Sequence, residues 1–211
     1  MTAEGTTDDP TDHPSDDPVS DGPAGDDSPR ERPTWEDPYL DGVAARLQFN
    51  YDLARDERVR GVRFPLYGRL EMDSHKQFLH PAISYGHQYS YEHLYVDRRP
   101  RVGVEDLEAF VSLAHDLAED IEVDEEHYAT DFTFAVVVED LPDEVASFVA
   151  NHDDRTMLKY GYNGHYEVNL VAVVPDEQRV VDSDVAVAEA FHHWDDEQET
   201  TGVLDQLRGL F

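Results

Sequence analysis

The sequence predicts a single α+β domain behind an acidic tail. Three observations support this class: apolar residues recur at helical spacing in some segments, they alternate in others, and no long Gly/Pro/Ser linker follows residue 37. The strands come in neighbouring pairs. We therefore expect a mostly antiparallel sheet of four to five strands, with its helices mainly on one face.

Residues 1–36 are predicted to form a disordered acidic tail, and residues 37–211 the folded domain. Asp, Pro, Gly, Ser and Thr fill most of the tail, and the apolar residues before Trp35 are Met1, Ala3, Val19 and Ala24. So few apolar side chains bury too little surface to offset the conformational entropy lost on ordering. The tail is either a solvating extension or a partner-binding segment.

The first helix is predicted to begin at Pro38, because Asp37 is a good N-cap and proline fits the first helical position. Its apolar face consists of Leu40, Val43, Leu47, Tyr51 and Ala54. We expect this helix to end before Gly61.

The later elements follow from the same spacing rules. Alternation predicts strands over residues 62–71, 83–96, 130–138 and 157–174, the last with a bend at Asn163 and Gly164. Helical spacing predicts helices over residues 104–121, from Pro142, over residues 184–194 and over residues 203–210.

Two strand segments, residues 85–96 and 160–171, resemble each other. They align without a gap at an offset of 75 residues and share Tyr, Gly, Tyr and Glu at four positions. Each follows another strand and precedes a helix, so a strand–strand–helix repeat is predicted, although such identities also arise by chance in Tyr-rich strands. Alternation places Glu92 on one face of its strand, and His165 and Glu167 on the corresponding face of the other.

Glu92, His165 and Glu167 are the candidate catalytic residues. If the two similar strands lie side by side, these side chains converge, and two carboxylates with a histidine are the minimum for general acid/base chemistry. The alternative is the solvent-facing side of a sheet. The spacing of the 11 histidines does not favour a metal site, and no cofactor motif is present. We assign no metal and no cofactor.

The candidate binding residues are Arg58, Arg60, Arg63, Arg98 and Arg99. Residues 55–69 carry a net charge of +3 and residues 97–101 one of +2, within an acidic chain. Such patches fit an acidic or phosphate-bearing partner. The alternative is that these arginines pair with carboxylates of the chain itself.

The charge of the chain predicts adaptation to very high salt. The net charge is −32 over 211 residues, of which residues 1–37 contribute −10 and the rest −22. Molar salt reduces the screening length to about 3 Å and so removes most of this repulsion. The chain also has 2 Lys against 14 Arg, and 29 Asp against 19 Glu. The competing interpretation is a protein that imitates nucleic acid or sequesters cations.

We expect a cytoplasmic protein that does not enter a membrane. Cysteine is absent, the N-terminus has no export signal, and the longest aliphatic runs are too short to span a bilayer. The sequence does not determine the oligomeric state.

The chain resembles a family of uncharacterised haloarchaeal proteins. The stretches FPLYGRLEMDSHKQFLHPAISYGHQYSYEHLYV, DFTFAVVVEDLP and YGYNGHYEVNLVAV carry this resemblance, which covers residues 38–195. It implies a domain of unknown function and brings no activity or catalytic residue. The function predicted here is a binding or interaction module. A small hydrolase or metal-dependent enzyme that uses the Glu/His sheet face is the alternative, so whether the chain is an enzyme stays open.

Overall fold

The computed structural model describes residues 32–76, 86–122, 124–192 and Trp194. Within these residues the chain forms three α-helices and seven β-strands. The helices are α1 (Pro38–Leu47), α2 (Val104–Ala118) and α3 (Asp143–Ala150). The strands are β1 (Asp52–Val59), β2 (Val62–Lys76), β3 (Gly86–Arg98), β4 (His127–Val137), β5 (Asp154–Met157), β6 (His165–Val174) and β7 (Arg179–Asp182). Most of the predicted tail, residues 1–31, lies outside the described residues.

The seven strands form one mixed sheet in the order β1-β2-β3-β4-β6-β5, and β7 also pairs with β6. The central strands β3, β4 and β6 are parallel, whereas the other pairs are antiparallel. The prediction of four to five strands is therefore wrong, and it missed the parallel centre. α2 and α3 connect β3 to β4 and β4 to β6, as parallel neighbours require a crossover.

α1 begins as predicted and ends earlier than predicted. The carboxylate of Asp37 accepts hydrogen bonds from the backbone N–H groups of Tyr39 and Leu40, which confirms the cap. The helix ends at Leu47, and the residues expected to continue it form β1 instead. Pairing with β2 overrides the local helix propensity of this Leu-, Ala- and Arg-containing segment.

A two-residue turn joins β1 to β2. Val59 pairs with Val62, and Arg60 and Gly61 between them have φ values of 49° and 89°. Positive φ at both turn positions is typical of the tight turns whose twist matches a β-hairpin. Gly61 therefore marks a hairpin and not the end of a long helix.

Helices cover both faces of the sheet. α2 and α3 pack on one face, against residues such as Phe134 and Leu170. α1 and the 3-10 helix Ala186–Phe191 pack on the other, against residues such as Leu94 and Val171. We call the face that α2 and α3 cover the α2 face, and the opposite face, covered by α1, the α1 face. The expectation that the helices lie mainly on one face is wrong.

The two similar segments lie in β3 and β6, on either side of β4. A strand–strand–helix repeat is not formed, because β2 and β3 are antiparallel whereas β4 and β6 are parallel and joined through α3. The register nevertheless aligns the two segments across β4. Glu92 pairs with Asp131, and Asp131 pairs with Glu167.

The C-terminal elements also differ from prediction. The strand expected over residues 157–174 is divided into β5 and β6 by a turn, and β7 was not expected. The helix expected over residues 184–194 is the shorter 3-10 helix Ala186–Phe191. The helix expected over residues 203–210 lies outside the described residues.

Candidate functional site

A cavity of about 420 Å³ lies on the α2 face beside β3. Its lining comes from β2, β3, β4, the end of α2 and the loop that follows α2. The lining residues are Arg69, Tyr89, Tyr91, His93, Tyr95, Leu117, Asp120, Ile121, Glu122, Asp124, His127, Thr130 and Phe132. We call this cavity the aromatic cleft.

Alternation along β3 builds the wall of the aromatic cleft. Side chains two residues apart lie on the same face of a strand, so Tyr89, Tyr91, His93 and Tyr95 form one row. Phe132 of β4 lies opposite His93, and the two ring centroids are 5.5 Å apart. The cleft therefore presents a continuous row of aromatic rings.

His93 is a neutral hydrogen-bonding group in this wall. Burial, with a smaller effect of the Arg69 charge, lowers the pKa of His93 to about 4. Its Nδ1 lies 2.7 Å from the hydroxyl oxygen of Tyr67. Burial raises the pKa of Tyr67 to about 12, so this hydroxyl keeps its hydrogen. In the tautomer in which the Tyr67 hydroxyl donates to Nδ1, the Nε2 of His93 carries the ring proton and is a hydrogen-bond donor.

The charged groups at the aromatic cleft are Arg69, which is paired with a carboxylate, and several carboxylates that act on the Tyr91 hydroxyl. The Cζ of Arg69 lies 5.5 Å from the centroid of the Tyr91 ring, and its Nη2 lies 3.1 Å from Glu71. Burial raises the pKa of Tyr91, the carboxylates of Glu71, Asp124 and Glu122 raise it further, and the charge of Arg69 opposes them. The Tyr91 hydroxyl therefore lies in a negative electrostatic potential.

Three carboxylates lie in register across the α1 face, and we call them the carboxylate row. They are Glu92 on β3, Asp131 on β4 and Glu167 on β6. The two glutamates predicted from the sequence are not on neighbouring strands, so their backbones lie about 10 Å apart. Asp131 occupies the position between them.

Asp131 is the most strongly perturbed carboxyl group of the row. Burial raises its pKa to about 7, and the charges of Glu167 and Glu92 contribute in the same direction. Its Oδ1 is buried and has no hydrogen-bond partner in the described part of the chain. Neighbouring carboxylates resist simultaneous ionisation, so the row holds a proton up to neutral pH.

The two outer carboxylates have fixed partners. The Tyr51 hydroxyl donates a hydrogen bond to Oε2 of Glu92. Oε1 of Glu167 lies 3.1 Å from Nη1 of Arg155 and 3.4 Å from Nε2 of His165. Burial, followed by the charge of Arg155, lowers the pKa of His165, so the ring is mainly neutral at pH 7. The structure thus places His165 beside Glu167 but not beside Glu92.

The carboxylate row does not converge in one pocket. Glu92 lines a cleft of about 330 Å³ with Tyr51, and Glu167 lines a separate cleft of about 400 Å³ with Arg155 and Asn169. Among the described residues, no group of three His, Asp or Glu side chains is arranged to hold a metal ion. The row is a line of acidic groups along a sheet and not the floor of a cavity.

Residues 36–193 match a family model whose description is "Domain of unknown function (DUF8052)". The chain belongs to the DUF8052 family. This match confirms the resemblance to an uncharacterised domain family, whereas the haloarchaeal origin stays a prediction. No curated protein and no solved structure matches the chain. None of the helices in the described part of the DUF8052 domain has the length and apolarity needed to cross a lipid bilayer.

The arginines predicted to bind a partner are distributed over several places in the DUF8052 domain. Arg58 lies opposite Arg63 on the β1–β2 hairpin. Arg98 and Arg99 lie near the starts of two different helices, α1 and α2. Ion pairs join Arg60 to Asp120, Arg63 to Asp56, Arg98 to Asp37, and Arg99 to both Asp97 and Asp106. Carboxylates of the chain itself therefore neutralise four of the five arginines.

Sequence reasoning missed two features of the DUF8052 domain. The alternation of Tyr91, His93 and Tyr95 predicts core positions, and the cleft exists because the end of α2 leaves part of that face uncovered. Asp131 has a sequence signal, since it is an acidic residue at the start of a run of apolar residues. Its proximity to Glu92 and Glu167 follows only from the pairing of three strands.

Proposed function

We propose that this DUF8052 domain is a small-molecule binding module and that the aromatic cleft is its binding site. The observation that carries the proposal is the cavity of about 420 Å³ walled by four aromatic side chains of β3. Ligand pockets in proteins are concave and mostly apolar, with volumes of about 300–1,000 Å³ and a few polar groups that orient the ligand. The aromatic cleft has these properties.

Different side chains of the cleft provide the apolar and the polar contacts to a ligand. The rings of Tyr91 and Phe132 offer apolar faces against which a ligand ring or methyl group packs. The Nε2–H of His93 donates to an acceptor on the ligand. Because the pKa of His93 is about 4, this donor stays neutral at physiological pH and adds no charge to the site.

Titration with small aromatic probes, indole and phenol, in molar KCl tests the proposal. Amide shifts in two-dimensional NMR spectra are expected to cluster on β3 and the end of α2. Ile121→Trp fills the cleft and is expected to abolish these shifts, whereas Ala109→Trp, at an exposed position of α2, leaves them unchanged. Shifts located elsewhere, or binding that survives Ile121→Trp, would contradict the proposal.

A second candidate function is acid/base or metal-dependent hydrolysis at the carboxylate row with His165. The pKa of about 7 for Asp131 favours it, because a general acid works best with a pKa near the operating pH. It ranks second because Glu92 and Glu167 line separate clefts. Its test is an ester and phosphoester hydrolysis screen with and without Mg²⁺. An activity lost in both Asp131→Asn and Glu167→Gln would support it.

We also propose that the chain works in molar salt and in the cytoplasm. The support is compositional: a net charge of −32 and a low lysine content. Circular dichroism against KCl concentration tests the salt requirement, and full folding in dilute KCl would contradict it. An acidic or phosphate-bearing partner at the five arginines is a weaker proposal, because it has to displace the ion pairs described above.

A further inference from the structure

The aromatic cleft combines ring faces with a surplus of negative charge. Its lining contains one arginine, Arg69, and three carboxylates, Asp120, Glu122 and Asp124. His93 adds no charge at neutral pH because burial lowers its pKa. An entering ligand therefore meets aromatic surface and net negative potential together.

The ion pairs of the cleft leave two of these carboxylates uncompensated. Arg69 is bound to Glu71 at 3.1 Å, and Asp120 is bound to Arg60 at 2.7 Å. No cation of the described residues pairs with Glu122 or Asp124. Asp124 Oδ1 accepts backbone N–H groups of the following turn, and these bonds hold the carboxylate in place without neutralising it.

The chain already places a cation on one ring of the cleft. The guanidinium of Arg69 lies over the face of Tyr91, with 5.5 Å between Cζ and the ring centroid. The face of an aromatic ring is the negative end of its quadrupole and attracts cations, most strongly where water is excluded. Tyr89 and Tyr95 extend the same row of rings beyond the part that Arg69 covers.

We infer that the ligand of the aromatic cleft is an organic cation with a methylated ammonium group. This inference rests on the proposed binding function and names the ligand class of the same site. A methylated ammonium has apolar methyl groups that pack against rings, and a diffuse positive charge that is attracted both to the ring faces and to Glu122 and Asp124. A quaternary ammonium, in which every N–H is replaced by carbon, loses less hydration on entry than a primary ammonium, because it has no N–H groups to desolvate.

Anionic ligands fit the cleft less well. A row of aromatic residues on a sheet is also the platform on which single-stranded nucleic acid stacks its bases. Phosphates, however, would lie beside Glu122 and Asp124, and the guanidinium of Arg69 is already held by Glu71. The negative charge of the cleft therefore favours an organic cation over single-stranded nucleic acid.

The test compares choline with 3,3-dimethylbutan-1-ol, its uncharged analogue of nearly equal shape, by NMR titration in molar KCl. Choline is expected to bind at least tenfold more tightly. Tyr89→Leu, which removes a ring beyond the part that Arg69 covers, should remove this preference, whereas Tyr89→Phe, which keeps the ring, should retain it. Glu122→Gln should weaken choline binding by no more than about twofold, because molar KCl screens an exposed carboxylate, and Glu108→Gln, the same change at an exposed position of α2, should leave it unchanged.

The outcomes separate this inference from the proposed function. Equal affinity for choline and its uncharged analogue, or tighter binding of a short oligonucleotide than of choline, overturns the inference. If indole and phenol still bind the cleft in that case, the binding function stands. If none of these probes shifts the resonances of the cleft, both are overturned.

Discussion

Asp131 and Glu167 lie directly opposite each other on the parallel strands β4 and β6, with their side chains on the same face of the sheet. Glu92 occupies the equivalent position on the other side of Asp131. Three acidic side chains in register repel one another, and Asp131 is partly buried between the other two. Its protonation relieves part of that repulsion, so the stability of the sheet depends on pH.

The first prediction concerns this pH dependence. The pKa of Asp131 is about 7 in the folded chain and near its ordinary value of 3.8 in the unfolded chain. The folded state therefore binds the proton between these values, and Asp131 makes the free energy of unfolding fall as pH rises toward 7. Asp131→Asn, which mimics the protonated form, is expected to flatten this fall and to add on the order of 1–2 kcal/mol at pH 8.

Chemical unfolding at several pH values in molar KCl measures this effect. Asp116→Asn is the control, since it removes a carboxylate at an exposed position of α2. An unchanged pH dependence in Asp131→Asn, or the same change in both variants, would show that the row does not hold the proton.

The second prediction concerns the hydrogen bond that Tyr51 donates to Glu92. Tyr51→Phe leaves the carboxylate without this donor and is expected to lower the free energy of unfolding by about 0.5–1.5 kcal/mol. Tyr162→Phe removes the hydroxyl of an exposed ring and should have no effect. Equal stabilities of the two variants in a urea titration would contradict a role for this bond.

The third prediction compares two glycines with positive φ. Gly61 has a φ of 89° and open space where a Cβ would lie, whereas Gly164 has a φ of 75° and a Cβ there would collide with the backbone carbonyl of Tyr128. Gly61→Ala is expected to cost about 1 kcal/mol, from backbone strain alone. Gly164→Ala should cost several times more, because the turn has to move away from β4. Similar melting temperatures for the two variants would rule out the collision.

The fourth prediction concerns the start of the folded domain. The Trp35 ring is buried on the α1 face, and its Nε1 donates a hydrogen bond to the Pro65 carbonyl at 2.7 Å. A chain shortened to begin at residue 32 should keep the stability of the whole chain. One that begins at residue 37 should lose about 3 kcal/mol or more, and Trp35→Ala in the whole chain should reproduce most of this loss. Equal thermal stability of the two shortened chains would contradict the anchoring role of Trp35.

The sequence predicted those structural features that depend on neighbouring residues, such as a helix cap and the faces of a strand. Asp37 and Pro38 predicted the start of α1, and alternation placed Glu92 and Glu167 on corresponding faces of their strands. These features depend on residues close in sequence, whose chemistry acts over one helical turn or one strand repeat.

Features that depend on distant residues were missed. Residues 52–59 have the composition of a helix and became a strand because β2 offers a partner. Asp131 joins the two glutamates through parallel pairing, which requires the crossovers through α2 and α3. The aromatic cleft depends on where α2 ends above the sheet, a length that helical spacing predicted only to within a few residues.

The aromatic cleft and the carboxylate row lie on opposite faces of the same strand, β3. His93 belongs to the aromatic cleft and its neighbour Glu92 to the carboxylate row, so one peptide bond, about 3.3 Å of strand, separates surfaces that open in opposite directions. A displacement of β3 at one of these surfaces would therefore move backbone that the other surface shares. A spectroscopic label near Tyr51, which lines the cleft of Glu92 and not the aromatic cleft, would test whether the two surfaces are coupled.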